Sequence, residues 1–207
     1  RYMNRFTYMS GNPDLKPETI HDLTLSGSYK WLQFMISYQR EKDVILYITE
    51  QYEKNPAITT VTHRNFNRID NFSTFLTASP AIGSWHPQLT VGVQKQWAKI
   101  EHNGETLQMD TPLFFCTLNN GIQLPYHWTL SADINFQSKG DYQNIYMYQN
   151  VFMMNATLTK SFLNEHLSIH LQGIDLTHGR KDGNRIYNKH MNMDVANVSD
   201  SRELRFT

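Results

Sequence analysis

The sequence predicts an all-β fold, an antiparallel up-and-down meander of about nine strands. Three observations predict it. Apolar and polar residues alternate with period two along most of the chain, and helical periodicity is nearly absent. Short connections flanked by aromatics alternate with longer, more polar ones. The polar positions are filled mostly by Ser, Thr, Asn and Gln rather than by Lys and Glu, unlike the wet face of an ordinary soluble sheet.

Composition sets bounds. The chain has 207 residues, with 19 Lys and Arg against 19 Asp and Glu. That balance gives no overall pull toward nucleic acid, and no nucleic-acid partner is expected. A single cysteine, Cys116, excludes an intramolecular disulfide framework. No apolar run approaches the roughly 18 residues of a membrane helix. Arg1 opens directly into mixed sequence, with neither initiating Met nor signal peptide. The chain therefore reads as one unit, residues 1–207, cut from a longer protein.

Taken in order, the elements begin with SGNPDLKPETIHDLTLSGSYK, residues 10–30. Pro13 and Pro17 each fix a φ angle, and Gly11 supplies a permissive one, so the strand is entered through a stiff loop. Leu23, Leu25, Gly27 and Tyr29 then alternate with Asp22, Thr24, Ser26 and Ser28. Over residues 33–52, Phe34, Ile36, Tyr38, Val44, Leu46 and Ile48 share one parity, and Gln33, Ser37, Gln39, Glu41 and Asp43 the other. Residues 60–78 form a strand with Phe72 and Leu76 on its apolar face and a ragged polar start. Residues 88–99 place Leu89, Val91, Val93 and Trp97 opposite Thr90, Gln94 and Gln96.

The second half repeats the pattern. Residues 112–124 set Phe114, Cys116, Leu118, Ile122 and Leu124 against Thr117, Asn119 and Gln123. Residues 127–137 set Trp128, Leu130, Ala132, Ile134 and Phe136 against Thr129, Ser131, Asp133, Asn135 and Gln137. Residues 151–162 and 166–176 continue it, and a last strand begins near Ser201. The short links are 29–32, 83–87, 125–127 and 163–166; the long ones are 53–56, 102–110, 139–150 and 177–198. Their alternation puts all short turns at one end and all long loops at the other.

The strand lengths and aromatics bear on which face is wet. Strands of roughly ten to fifteen residues exceed the usual five or six. About 9–11 residues cross a bilayer at the tilt of a barrel strand. Trp31, Trp85, Trp128 and Phe162 lie beside short turns, and Tyr52, Trp97 and Tyr148 lie toward the long loops. Two aromatic bands flanking an apolar band match the girdles of an outer-membrane barrel. Lys160 has apolar parity but sits near a turn, where it can snorkel. On this reading the apolar face meets lipid and the polar face lines a wet lumen. The alternative is a secreted soluble β-sandwich that binds glycans through exposed Tyr and Trp. It would need Val91, Leu130, Ile134 and Ile169 sealed in one core.

Several segments carry a resemblance. GNPDLKPE (residues 11–18), followed by HDLTLSGSY (residues 21–29), resembles the loop and strand of TonB-dependent receptor β-barrels, in particular the outer membrane protein beta-barrel family abundant in Bacteroidetes. RNFNRIDNFSTFLTAS (64–79) is similar to the family's Asn-rich strand start, and TLTKSFLNEHLSIHLQGIDLTHGRK (157–181) to its penultimate hairpin, whose second strand ends in an Asp-Leu pair. DSRELRFT (200–207) resembles the start of the closing strand, which in the family usually ends in an aromatic residue. The resemblance implies the C-terminal part of a larger transmembrane barrel in the bacterial outer membrane. It implies a parent protein that imports a nutrient ligand (siderophore, glycan or peptide) by TonB-dependent active transport. Its partners would be outer-membrane lipid, the ligand, and the TonB energy-coupling complex acting through a plug domain absent from these residues.

Chemistry is sparse. His166 and His170 are four apart, which on a strand separates them by about 14 Å, so no metal site is expected. There is no GxSxG nucleophile turn. Asp133 and His170 share the polar parity of different strands and could approach each other, the basis of a weak hydrolase reading. Asn71, Asn155 and Asn197 match the glycosylation pattern by chance. No catalytic residue and no cofactor is expected, and the chain is not read as an enzyme. The segment HGRKDGNRIYNKHMNMD (178–194) is the most functional-looking stretch: long, basic and aromatic-containing. Arg180, Lys181, Arg185 and Tyr187 are the candidate ligand contacts there, against the plainer reading of a surface loop.

Overall fold

The computed structural model describes residues 2–4, 7–52, 55–102, 104–163, 166–187, 192–198 and 200–207. In chain order the strands are β1 Tyr2–Asn4, β2 Thr7–Met9, β3 Thr19–Tyr29, β4 Leu32–Tyr52, β5 Asn55–Ala78, β6 Trp85–His102, β7 Glu105–Met109 and β8 Leu113–Leu124. They continue as β9 Trp128–Gln137, β10 Gly140–Tyr142, β11 Ile145–Met147, β12 Val151–Phe162, β13 Leu167–Ile174, β14 Lys181–Tyr187, β15 Asn192–Val198 and β16 Glu203–Phe206.

The long strands form the expected meander. β3, β4, β5, β6, β8, β9, β12, β13 and β16 pair in that order, each antiparallel to the next. The short turns fall where the sequence places them. Lys30, Tyr126, His127 and Leu163 adopt the left-handed region there, as does Gly83, the conformation that tight hairpin turns demand.

One face of this sheet is apolar and open. Leu23 is 74% exposed, Val91 40% and Phe114 51%, and Leu171 and Phe206 are exposed too. Leu130, Ile134 and Ile169 are only half-buried. The sealed core that a soluble sandwich requires at these four positions does not form. The opposite face is laced by polar side chains bonding across strands. Thr77 and Thr90 hydroxyls meet at 2.9 Å, Thr117 donates to Asn135 at 3.3 Å, and Ser161 and Ser168 meet at 3.2 Å. Each such pair satisfies groups that lipid would leave bare.

Phe75 and Phe115 interrupt the polar face, their rings 6.1 Å apart. The residue between them is Gly92, paired with both. A Cβ there would lie 2.3 Å from the Phe75 ring, so only glycine lets that ring cross β6.

Three of the long links are not plain loops. β7 pairs with the outer end of β6, and β10, β11, β14 and β15 form a second, four-stranded sheet. The links at 102–110, 139–150 and 177–198 therefore carry strands that the period-two pattern misses, because segments of three to seven residues give it too few positions to register. β5 likewise begins at Asn55, ahead of the expected start near 60.

Among the described residues, the cluster of buried apolar side chains lies at this end. Val44, Leu46, Ile69, Ala98, Ile100 and Met109 are buried together, with Phe66, Leu107, Tyr146 and Tyr187 packed against them. Tyr146 and Tyr187 come from the small sheet, which therefore packs on the extensions of β4, β5, β6 and β7. Here one expectation is corrected. Phe34 and Ile36 have the parity of Val44, Leu46 and Ile48, yet the first two are exposed and the last three buried. Asp43, between them, has φ of 53°. That left-handed residue interrupts the alternation, so the same parity changes face.

Candidate functional site

The small sheet is held by buried polar side chains at fixed points. Gln96, 1% exposed, donates from Nε2 to the Gln143 carbonyl at 2.9 Å and accepts from the Gln143 amide at 2.6 Å. Asn144 donates from Nδ2 to the carbonyls of Tyr47 and Tyr187, each at 3.1 Å, and accepts from the Tyr187 amide at 2.9 Å. Asp141 bonds reciprocally with Thr111: its amide donates to the Thr111 carbonyl at 2.9 Å, and its carboxylate accepts the Thr111 amide at 2.8 Å. Burial pushes the Asp141 carboxyl above its ordinary value, against those bonds. Thr111 lies in the gap where β7 ends and β8 begins, on the same edge of β6.

Gln96 belongs to the polar face, so the small sheet folds over that face. The polar surface of the meander leads up to a cover built from β10, β11, β14 and β15.

Asp175, the Asp of the Asp-Leu pair, closes the base of this insertion. Its carboxylate accepts the Gly179 amide at 2.8 Å and the Ser201 hydroxyl. The Ser201 bond, joined by that of Gly179, holds its pKa below the usual carboxylate value. One buried side chain thus ties residue 179, near the start of the insertion, to residue 201, just past its end.

The four candidate contacts end up in different situations. Arg180 is exposed. The backbone of Lys181 opens β14, opposite Val198; its side chain lies outside the described residues. Arg185 is already engaged: its Nε and Nη2 grip the two oxygens of Asp194 at 2.6 and 2.9 Å across the β14–β15 hairpin. That bond raises the Arg185 pKa and lowers that of Asp194. Tyr187 packs against the core and anchors Asn144. Within the segment, residues 181–187 pair with the strand at 192–198 rather than running as a plain surface loop. The sequence signal for Arg185 was present but unread: Arg185 and Asp194 sit symmetrically about the hairpin turn.

Other expectations separate cleanly. His170 faces Thr159, with Nδ1 and Oγ1 3.0 Å apart. Asp133 faces Asn155, four residues along β12 from Thr159. Register keeps Asp133 and His170 about 14 Å apart along the strand direction, so the pairing behind the hydrolase reading does not form. Among the described residues no group of three His, Cys, Asp or Glu stands together as a metal site. Lys160 is held at the turn end, over the rings of Trp128 and Phe162 and donating to the Tyr126 carbonyl. The opening loop is docked on β5: Asn12 donates to the His63 carbonyl at 2.9 Å, and Asn65 bonds both the amide and the carbonyl of Lys16.

Comparison with known proteins bears on this geometry. The family model described as "Outer membrane protein beta-barrel family" matches residues 1–207. Among solved structures, the outer membrane transporter YddB from Escherichia coli is similar, with TM-score 0.58 and 13% sequence identity. The match covers 97% of this chain and 33% of that one, so the chain spans about a third of the transporter's length. No curated protein matches the chain.

Proposed function

The chain belongs to the outer membrane protein beta-barrel family, and from that premise we propose that it forms part of the wall of a receptor importing a nutrient ligand by TonB-dependent active transport. The observation that carries the reading is the two-faced sheet. An exposed apolar face suits lipid, a hydrogen-bonded polar face suits a wet passage, and a folded cover stands over the polar side. Arg180 on the exposed part of the cover, with Lys181 beside it in sequence, would meet an anionic or polar ligand (a siderophore, a glycan fragment or a peptide). The energy-coupling complex would act through a plug domain outside residues 1–207. In this reading the chain binds and guides, and no residue carries covalent chemistry.

Uptake tests the proposal. Cells lacking the full-length protein, and cells carrying it, are given labelled ferric siderophores, oligosaccharides or peptides in turn. Accumulation of one class should depend on the protein and stop when the proton-motive force is collapsed. Accumulation that persists after collapse would sink the active-transport reading.

A further inference from the structure

The apolar face ends abruptly on β4, β5 and β6. Cross-strand register lays out its upper margin in rows. The last apolar row is Leu25, Ile36, Thr74, Val93 and Phe114. Next come Leu23, Tyr38, Phe72 and Lys95, and then His21, Arg40, Asp70 and Trp97. One row further, Lys42 faces Arg68, while Lys99 stands two residues beyond Trp97. Five cations therefore crowd three successive rows, which are about 7 Å apart on strands about 4.8 Å apart.

Three carboxylates border the cluster, and Asp22, in the hollow of Arg40 and Lys42, accepts from the Thr24 and Ser37 hydroxyls. Asp70 accepts from Tyr38 Oη at 2.6 Å, Arg40 Nε at 2.8 Å and Arg68 Nε at 2.5 Å. It fixes both guanidiniums while leaving their side chains 40% and 48% exposed. Asp110 borders the same hollow as Arg68, Trp97 and Lys99. Lys42, Lys95 and Lys99 have no carboxylate partner among the described residues. Lys95 lies 5.4 Å over the exposed Trp97 ring.

This arrangement is unlike the rest of the apolar margin. At the turn end, Lys160 is folded onto rings and a carbonyl, and Lys30 lies over the Tyr29 ring. At the loop end, five cations outnumber three carboxylates directly above an open hydrocarbon surface. Unpaired cations there repel one another unless an anion joins them. Guanidinium and ammonium groups are the usual partners of phosphate.

We propose that the outward face of β4, β5 and β6 binds the phosphate headgroup of an outer-leaflet lipid, whose acyl chains lie along Leu23, Leu25, Ile36 and Val93. Arg40 and Arg68, held by Asp70, present fixed donors. Lys42, Lys95 and Lys99 supply adjustable charge, and Trp97 sits at headgroup depth. The inference rests on the reading that the apolar face meets lipid.

The test uses the full-length protein in non-ionic detergent, with bisphosphorylated lipid A as probe and native mass spectrometry as readout. The variant Lys42→Gln, Lys95→Gln, Lys99→Gln leaves the Asp70 cluster intact. Its affinity for the probe should fall on the order of a hundredfold, given what each surface cation contributes near anionic lipid. The corresponding triple Arg variant should retain the probe. Fully dephosphorylated lipid should bind wild type and Gln variant alike. Equal retention of the probe by wild type and Gln variant would overturn the site, as would displacement of the probe by equimolar inorganic phosphate. A nitroxide at Val91→Cys, in a Cys116→Ser background in bilayers, reports the underlying reading separately. Faster spin relaxation with oxygen supports lipid contact, and faster relaxation with a water-soluble nickel chelate overturns it.

Discussion

Gln96 and Gln143 clasp each other through two hydrogen bonds, side chain to backbone in both directions, across a gap of 47 residues. Gln96 sits on the meander and Gln143 between β10 and β11 of the cover. The bond pair fixes where the cover docks. The substitution Gln96→Leu keeps the volume and strips both partners. Each group left unsatisfied costs about 1–3 kcal/mol. Amide exchange at residues 140–147 should accelerate while β9 and β12 keep their protection. Unchanged exchange at 140–147 would show that the cover is held elsewhere.

Asp175 makes the base of the insertion acid-sensitive. Its folded pKa is depressed, chiefly by the Ser201 bond. A depressed carboxylate stabilises the fold above its unfolded value and loses that contribution as pH falls through its folded value. The Gly179 amide should therefore stay protected at neutral pH and open progressively below about pH 4. In Asp175→Asn that titration should vanish. An identical pH profile in the variant would refute the assignment.

Gly92 is a packing requirement. A methyl at this position meets the Phe75 ring at 2.3 Å. Gly92→Ala should cost about 1–3 kcal/mol, the usual range for overpacking, seen as a lower thermal midpoint of the folded barrel on a gel. Adding Phe75→Leu should recover part of it. No recovery would mean the strain lies in the backbone.

Val91 and Thr90 are neighbours on opposite faces of β6. Nitroxides at the two positions should show opposite accessibilities, oxygen at 91 and water-soluble chelate at 90. Matching accessibilities at both sites would contradict a wall with one lipid face and one wet face.

Arg180 and Arg185 should differ in function despite their similar place in sequence. Arg185 is committed to Asp194, an exposed pair of the kind that contributes at most about 1 kcal/mol. Arg180→Ala should lower ligand accumulation more than Arg185→Ala does. The reverse order, measured as uptake at equal surface expression, would show that the ligand displaces Asp194.

Much of the meander was legible because membrane strands must choose between two solvents at every residue. Leu130, Ala132, Ile134 and Phe136 against Ser131, Asp133 and Asn135 state that choice plainly. The cover was not legible, since its short strands are selected by distant partners. Asn144 is placed by Tyr47, 97 residues away, and no local pattern encodes that. Parity also failed at Asp43, where one left-handed residue moved Val44, Leu46 and Ile48 to the other face. Among the candidate contacts, composition could not see that Arg185 already had a partner.

The β4–β5 hairpin has arms of 21 and 24 residues. A hydrocarbon layer uses about 11 residues of each, and at about 3.3 Å per residue the remainder adds some 30 Å of rigid ribbon. In outer-membrane barrels the longer links stand outside the cell, which would make that ribbon a mast on the exterior, stiffened by its own small core. A bulky visitor, an antibody or a virus particle, meets this mast before it meets the bilayer. Contact from outside would then fall on the ribbon, where sequence change leaves the wall below undisturbed.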